Sequence, residues 1–254
     1  MARPFPVTII GMTKQRLDSL LVARGLAENR SKAQAMIMAG EVTVDGTLQT
    51  KAGCLVAPDA EISLKQKLPY VSRGGLKLEH ALKEFGIDVS GLACLDVGAS
   101  TGGFTDCLLQ RGAKRVYALD VGHGQMDYRL RQDERVAVIE KVNAHYPFDL
   151  PGKVSLATVD VSFISLTAVI PNILTHLDAD GALVVLFKPQ FEADRKEVGK
   201  GGVIRDPEVH ARCIGRFIIW MNANGWSLLN LTSSPVAGAD GNREFLMHMR
   251  PFRP

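Results

Sequence analysis

The stretch of sequence that decides the fold is LACLDVGASTGGF, residues 92–104. It begins with an apolar run that predicts a buried strand over residues 92–98, continues through a glycine-rich loop, and enters a helix predicted over residues 104–110. A second apolar strand is predicted at residues 116–120 and ends in an acidic residue. Strand, loop, helix and strand in this order are typical of an α/β fold with a parallel sheet.

The same alternation continues toward the end of the chain, which predicts a Rossmann-like, mostly parallel sheet with helices on both faces. Ligands of such sheets bind at the carboxyl ends of the strands, so we expect the functional site at that edge. The remaining predicted strands cover residues 154–161, 182–187, 226–231 and 244–249, and the helices between them cover residues 166–177 and 207–223.

The loop after the first strand does not suit a nucleotide phosphate. Its glycines lack the Gly-x-Gly-x-x-Gly spacing of a nicotinamide dehydrogenase, and no Gly-Lys-Ser/Thr follows them. Asp96 would repel a pyrophosphate but attract a cationic amino-acid group, and Asp120 can accept hydrogen bonds from both hydroxyls of a ribose. These features together favour S-adenosylmethionine, although a glycine-rich turn in another α/β fold is the alternative interpretation.

The residues expected to contact this donor lie in the loop and at the ends of strands. His123, His145 and Asp127 are weaker candidates, because a lone polar residue near a pocket is more often structural. The predicted donor contacts are Asp96, Gly98, Ser100, Thr101, Gly102, Gly103, Phe104, Asp120, Asn143 and Asp160.

Four charged residues flank the predicted elements of this domain. Asp160 and Lys188 follow apolar strands, Glu244 opens the last strand, and Lys77 lies in the segment that enters the first helix. A charge is costly to bury unless it is paired. Two lysines and two carboxylates that converge on one cleft would satisfy one another, whereas each of them alone is more often a surface charge.

The front of the chain predicts a small basic module. Leu17, Leu20 and Leu21 share one helical face, Asn29 or Ser31 can cap a second helix that ends near Gly40, and residues 42–46 read as a strand with an Asp-Gly turn. Residues 1–77 hold 11 Lys and Arg against 6 Asp and Glu. This excess favours a polyanion partner, though ordinary charge scatter would also produce it. The candidate phosphate contacts are Arg16, Arg24, Arg30, Lys32 and Arg73.

Two resemblances follow from these motifs. Residues 14–65 resemble the S4-like RNA-binding domain, a small α+β module, through the words RLD at 16–18, NRSKA at 29–33 and the run from Gly40 to Gly46. Lys77, Asp160, Lys188 and Glu244 resemble the Lys-Asp-Lys-Glu tetrad of the FtsJ-like RNA ribose 2′-O-methyltransferases. The words SRGGLKL at 72–78, DVGASTGGFTD at 96–106, KPQFE at 188–192 and GKGGV at 199–203 are similar to those of the TlyA family, many of whose members carry the label hemolysin.

The resemblance implies an S4-like domain over residues 14–65, a linker over 66–71 and a class I methyltransferase domain over 72–254. It further implies a cytidine 2′-O-methyltransferase whose partners are ribosomal RNA or ribosomal subunits. A 2′-hydroxyl is a poor nucleophile, so the protein must align it and help to remove its proton. We expect Lys188 to accept or steer that proton, Asp160 to orient Lys188, and Lys77 with Glu244 to position the ribose.

Other readings of the sequence remain open. The chain can be a non-enzymatic RNA-binding assembly factor, and the family label raises membrane lysis, for which the sequence offers no apolar run of spanning length. Residues 192–205 can form a mobile loop that closes over RNA or donor, or a plain solvated loop.

The composition sets the remaining expectations. The 254 residues are 46% apolar and 22% charged, as in an ordinary globular protein. Four scattered cysteines without a Cys-x-x-Cys pair predict neither a disulfide framework nor a zinc site, and no metal is expected. The first residues do not resemble a signal peptide, so we expect a cytoplasmic protein without membrane insertion.

Overall fold

The computed structural model describes residues 13–64, 68–238 and 240–252, and the chain divides into two compact units, residues 1–67 and 68–254. The predicted linker begins with Gln66 and Lys67, which lie outside the described residues. Its other end belongs to the second unit, because Tyr70 is buried there and the Val71 N–H donates to the Asp106 carboxylate over 2.8 Å.

The first unit places two helices on short strands, as predicted. Asn29 caps the second helix, since its side chain accepts a hydrogen bond from the Lys32 N–H over 2.9 Å. Asp45 and Gly46 both have positive φ and form the predicted turn of a hairpin. The elements are β1 (Gln15–Arg16), α1 (Leu17–Ala23), α2 (Arg30–Met38), β2 (Val42–Val44), β3 (Thr47–Gln49), β4 (Leu55–Val56) and β5 (Ile62–Leu64).

The strands of the first unit form two small sheets, β3-β2-β5 and β1-β4. Leu17, Leu20 and Leu21 of α1 are buried against Ala33 and Ile37 of α2, which confirms the predicted apolar face.

The second unit is built on a seven-stranded sheet of order β11-β12-β10-β9-β6-β7-β8, in which β12 alone runs against its neighbours. Its elements are α3 (Arg73–Glu84), β6 (Ala93–Val97), α4 (Gly103–Gln110), β7 (Arg115–Asp120), α5 (Tyr128–Arg131), β8 (Val136–Glu140), β9 (Val154–Val159), α6 (Leu166–Leu174), β10 (Leu177–Phe187), α7 (Pro189–Glu192), a 3-10 turn (Arg195–Glu197), α8 (Pro207–Ala223), β11 (Trp226–Ser233) and β12 (Phe245–Pro251).

Helices cover both faces of this sheet, which confirms the predicted Rossmann-like architecture. Leu95 and Val97 of β6 face a buried cluster that includes residues of α6 and α8, whereas Cys94, directly before Leu95, faces a second cluster with α3 and α4. Successive residues of β6 therefore point to opposite apolar layers, as expected of a strand buried on both sides.

Three element assignments differ from the sequence prediction. The helix predicted over residues 166–177 ends at Leu174, because Leu177 pairs with Val154 and already belongs to β10. A register shift follows between Leu177 and Ala182, so the predicted strand start at 182 is only the regular part of β10. Strand β8 was not predicted.

Within the described residues, no helix is long and apolar enough to span a membrane, and no group of three or more potential ligand residues could hold a metal ion.

Candidate active site

The sheet topology brings three of the four predicted charges to one edge. Phe187, the last residue of β10, pairs with Phe245, the first residue of the antiparallel strand β12. Lys188 and Glu244 therefore both lie one residue beyond this pair. Asp160 follows β9, the parallel neighbour of β10, and so stands at the same carboxyl edge.

The four charged side chains form two ion pairs. Lys188 Nζ lies 2.7 Å from Asp160 Oδ1, and Lys77 Nζ, carried by α3, lies 2.5 Å from Glu244 Oε2. The lysine side chains are only 10% and 12% exposed, so each needs the carboxylate beside it to offset the cost of its burial. The structure thus keeps two nearly buried ammonium groups at the strand ends.

Two adjoining cavities open at this edge. The larger, about 560 Å³, is lined by apolar side chains such as Val97, Leu119 and Val142, with the Asp120 carboxylate among them. The smaller, about 240 Å³, is more polar and is lined by Arg73 and Lys77, among others. Gly98, Ser100 and Asp160 line both cavities. A ligand with an apolar and a polar end could extend from one into the other.

Most of the predicted donor contacts surround these cavities. Asp120 and Asn143 line the larger one, while Thr101, Gly103 and Phe104 line the smaller one. The Asp120 carboxylate accepts hydrogen bonds from the Ser100 and Gly122 N–H groups over 2.8 and 2.6 Å. Each oxygen keeps a lone pair for a further donor.

The position of Asp96 corrects a prediction. Its side chain has no exposed surface and lines neither cavity, so it is not placed for the direct charge contact that we expected. Instead it accepts hydrogen bonds from the Thr105 and Thr158 hydroxyls over 2.7 and 3.1 Å. Burial raises the pKa of Asp96 to about 7. The residue lies beneath the glycine loop, because the strand alternation that buries Leu95 and Val97 on one layer turns Asp96 toward the other.

Glycine is required where the loop passes closest to its neighbours. Gly98 has a φ of +84°, and a β-carbon there would lie 2.3 Å from the Asp160 carbonyl oxygen. At Gly103 a β-carbon would lie 2.2 Å from Ser72 Oγ, at the start of α3. These approaches bring the loop, Asp160 and the Lys77 helix together. Gly102 lines neither cavity.

Sequence reasoning missed two residues that follow Asp160. The Ser162 hydroxyl accepts a hydrogen bond from Lys188 Nζ over 2.8 Å. Phe163 lines the larger cavity, is 92% exposed, and has a positive φ of 64° that is unusual for an aromatic residue. Their position directly after a parallel strand was the signal that could have identified them.

The weaker candidates do not line either cavity. Asp127 caps α5 through the Arg129 N–H at 2.9 Å, and His123 lies 3.7 Å from Glu140 at the surface. His145 is exposed and also lies outside the cavity linings.

The predicted phosphate contacts of the first unit divide into two kinds. Arg16 and Arg30 both pair with Asp18, at 2.8 and 3.0 Å, and Arg24 donates to the Pro58 and Ala60 carbonyls. These three arginines are therefore engaged in holding the unit together. Lys32 is exposed, and within the described residues its side chain has no hydrogen-bond or ion-pair partner.

Comparison with known proteins agrees with this geometry. The FtsJ-like methyltransferase model matches residues 70–251, and the S4 domain model matches residues 15–62. A Bacillus subtilis protein named "Putative rRNA methyltransferase YqxC" is 50% identical over 93% of this chain and 85% of its own. The Mycobacterium tuberculosis protein named 16S/23S rRNA (cytidine-2′-O)-methyltransferase TlyA is 42% identical over 93% of this chain and 90% of its own. A solved Streptococcus thermophilus structure described as a "putative hemolysin" is 43% identical, has a TM-score of 0.73, and covers 94% of this chain and 89% of its own.

Proposed function

This chain belongs to the FtsJ-like methyltransferase family, and we propose that it methylates a ribose 2′-hydroxyl of cytidine in ribosomal RNA with S-adenosylmethionine as the donor. The observation that carries the proposal is the pair of nearly buried ion pairs, Lys188–Asp160 and Lys77–Glu244, beside the two cavities. Asp160 lines both cavities and thus stands where the transferred group and its acceptor would meet.

The cavities fit the donor in size and in chemistry. About 560 Å³ of largely apolar space suits an adenosine, and Asp120 at its side has free lone pairs for ribose hydroxyls. The adjoining smaller cavity presents Arg73 and the loop around Thr101 to a carboxylate-bearing, polar end. When bound, S-adenosylmethionine supplies a methyl group already activated by a sulfonium.

The four charged residues supply alignment and a place for the proton. Lys188 is held by Asp160 and Ser162, so its Nζ has a fixed position. As a neutral amine it accepts the proton of the 2′-hydroxyl, and as an ammonium group it steers the reaction by donating a hydrogen bond to the oxygen that becomes negative. The Lys77–Glu244 pair presents one donor and one acceptor to the ribose. Phe163, exposed at the larger cavity, offers an aromatic face to a base.

The first unit supports a structured RNA as the substrate, because S4 domains bind RNA through backbone and shape contacts. The two relatives reported above carry rRNA methyltransferase names, which favours ribosomal subunits as partners and supports the cytoplasm as the compartment in which the protein works.

The test is methyl transfer from labelled donor to unmodified small and large ribosomal subunits, followed by mapping of ribose methylation. We expect a methylated cytidine ribose in at least one subunit. Lys188→Ala should abolish transfer while the donor dissociation constant, measured by calorimetry, stays within about threefold, because Lys188 lines neither cavity.

Two results would contradict the proposal. Donor binding without incorporation into any rRNA would instead indicate an RNA-binding assembly factor that keeps only the donor pocket. Full transfer by Lys188→Ala would remove the role given to that lysine.

A further inference from the structure

Two segments that end neighbouring strands carry the Lys188–Asp160 pair. The Asp160 segment, residues 160–166, runs from the end of β9 to the first residue of α6. The Lys188 segment, residues 188–192, follows β10 and includes the short helix α7. Their backbones leave the sheet after β9 and β10, so the strand pairing that ends at Val159 and Val185 no longer holds them in register. The backbone still fixes their near ends, since the Asp160 N–H donates to the Val97 carbonyl over 2.9 Å and Phe187 pairs with Phe245. Beyond these points, side-chain contacts set the distance between the two segments.

Five contacts join these two segments. Lys188 binds Asp160 and Ser162, and the rings of Phe163 and Phe191 lie 5.1 Å apart between centroids. The other two contacts lie at the far end and are made by Glu192. One of its carboxylate oxygens accepts from the Ser165 hydroxyl and the other from the Leu166 N–H, both over 2.7 Å.

Glu192 is well placed to hold this geometry. Its carboxylate caps the start of α6, where backbone N–H groups need acceptors and the helix dipole favours a negative charge. Burial raises the pKa of this carboxyl above its ordinary value, opposed by the Leu166 and Ser165 hydrogen bonds. On the other side the Arg216 guanidinium of α8 donates to the Glu192 carbonyl over 3.1 Å, which fixes the end of the Lys188 segment to a long helix.

A cap alone does not account for this arrangement. Ser165 already caps α6 locally, since its hydroxyl accepts from the Thr167 N–H at 3.2 Å. Glu192 lies in α7, after strand β10, and reaches the same helix start from 26 positions away from Leu166 in the chain. What this contact adds is a fixed distance between the segment with Asp160 and the segment with Lys188.

We propose that Glu192 is a positioning residue for methyl transfer, which ties the Lys188 segment to the Asp160 segment and so sets the place of Lys188 Nζ. The inference rests on the proposed function, in which Lys188 handles the proton of the 2′-hydroxyl. It gives the KPQFE motif a second functional residue, because Glu192 fixes the end of the segment that Lys188 begins. A misplacement of about 1 Å in a reacting group can cost about a hundredfold in rate.

The experiment measures single-turnover methyl transfer with saturating donor and rRNA in Glu192→Gln. The amide keeps one acceptor oxygen and loses the other, so we expect the rate constant to fall about tenfold to a hundredfold. The donor dissociation constant should stay within twofold. The amplitude separates positioning from folding, since a smaller folded fraction lowers the amplitude and leaves the rate constant unchanged.

Glu197→Gln is the matched control. This carboxylate lies five residues further along the same loop and pairs with Arg212 over 2.9 Å, without contact to the Asp160 segment. Its rate constant should remain that of the wild type. Glu192→Ala, which loses both acceptors, should be slower than Glu192→Gln, whereas equal rate constants for Glu192→Gln, Glu197→Gln and wild type would overturn the proposal.

A second readout does not need activity. Hydrogen exchange of residues 160–166 should be faster in Glu192→Ala than in wild type, because the Leu166 N–H loses its side-chain acceptor. If the wild type methylates no rRNA, the proposed function fails on its own. The tie between the segments is then judged by exchange alone, and unchanged protection would overturn it.

Discussion

Asp96 is a carboxyl group placed in the middle of the sheet, with no exposed surface. Thr105 from α4 and Thr158 from β9 donate their hydroxyls to it, so it joins three elements directly beneath the glycine loop. Burial outweighs these hydrogen bonds and raises its pKa from 3.8 to about 7. The protein therefore carries a buried acid whose protonation changes near neutral pH.

This pKa predicts a pH-dependent stability. The folded state holds a proton that the unfolded chain releases above pH 3.8, so the contribution of the protonated acid is lost as the pH rises through about 7. From pH 5 to pH 8 the loss is about 3 kcal/mol. Asp96→Asn cannot ionise and should lack this loss, so its free energy of unfolding relative to wild type should rise by that amount.

Urea unfolding at pH 5, 6.5 and 8 measures the effect. Fluorescence reports on the correct unit, because both tryptophans, Trp220 and Trp226, belong to residues 68–254. If the difference in the free energy of unfolding between Asp96→Asn and wild type is the same at all three pH values, Asp96 does not titrate in this range.

The site shows what a sequence can predict of single residues. The convergence of Lys188, Asp160 and Glu244 could be predicted because a charge next to an apolar strand must be paired, and the sheet brings their strand ends together. The burial of Asp96 was not predicted, because an argument from charge alone does not indicate how deeply a side chain is buried. Ser162 and Phe163 escaped notice because their significance depends on the turn after β9, where the positive φ of Phe163 has no signature in an aromatic residue.

Secondary-structure elements were predicted well where local signals act alone. The capped helix α8 matches its predicted bounds, and the Asp-Gly hairpin matches as well. Strand β8 and the start of β10 depend instead on pairing with distant residues, such as Val116 with Val136 and Leu177 with Val154. Periodicity in one segment carries no information about such partners.

The helix pair α1–α2 depends on Asp18, a buried carboxylate. It accepts hydrogen bonds from Arg16, Arg30 and Gln34 over 2.8–3.0 Å. The Arg16 guanidinium, first among these, holds the pKa of Asp18 far below its usual value. This contribution to stability is therefore present above the ordinary pKa and is lost only as the pH falls below it.

Asp18→Ala should destabilise the first unit by about 2–3 kcal/mol, because the hydrogen bonds from two arginines and Gln34 are lost. Water can replace the lost partner of the exposed arginines, which limits the effect to this range. Thermal unfolding followed by circular dichroism should show a transition at a lower temperature, while the transition of the second unit, followed by tryptophan fluorescence, should keep its temperature. Asp59→Ala removes an exposed acid of the same unit and is the control. Equal melting profiles for the two variants would contradict the role given to Asp18.

The two units of the chain contribute differently to the reaction: cations of the first unit bind RNA, and cations of the second unit also align the reacting groups. The first carries the exposed Lys32 on its α2 helix, within the basic part of the chain, while the second carries Arg73 at the smaller cavity together with Lys77. A phosphate contact strengthens binding by releasing counterions and has no part in the chemical step. A cation that lines the cavity also affects the alignment of the reacting groups.

These two cations should therefore respond differently to removal. Lys32→Ala should weaken rRNA binding and reduce the slope of log affinity against log salt by about one, because one phosphate contact is lost. The single-turnover rate constant of Lys32→Ala at saturating rRNA should equal that of the wild type.

Arg73→Ala should lower this rate constant even at saturation, since the smaller cavity loses a guanidinium group that lines it together with Lys77. Affinity between 50 and 200 mM salt and the rate constant at saturation measure both effects. A lowered rate constant for Lys32→Ala, or an unchanged one for Arg73→Ala, would contradict this division of work, because binding and alignment would then not be separated between the two units.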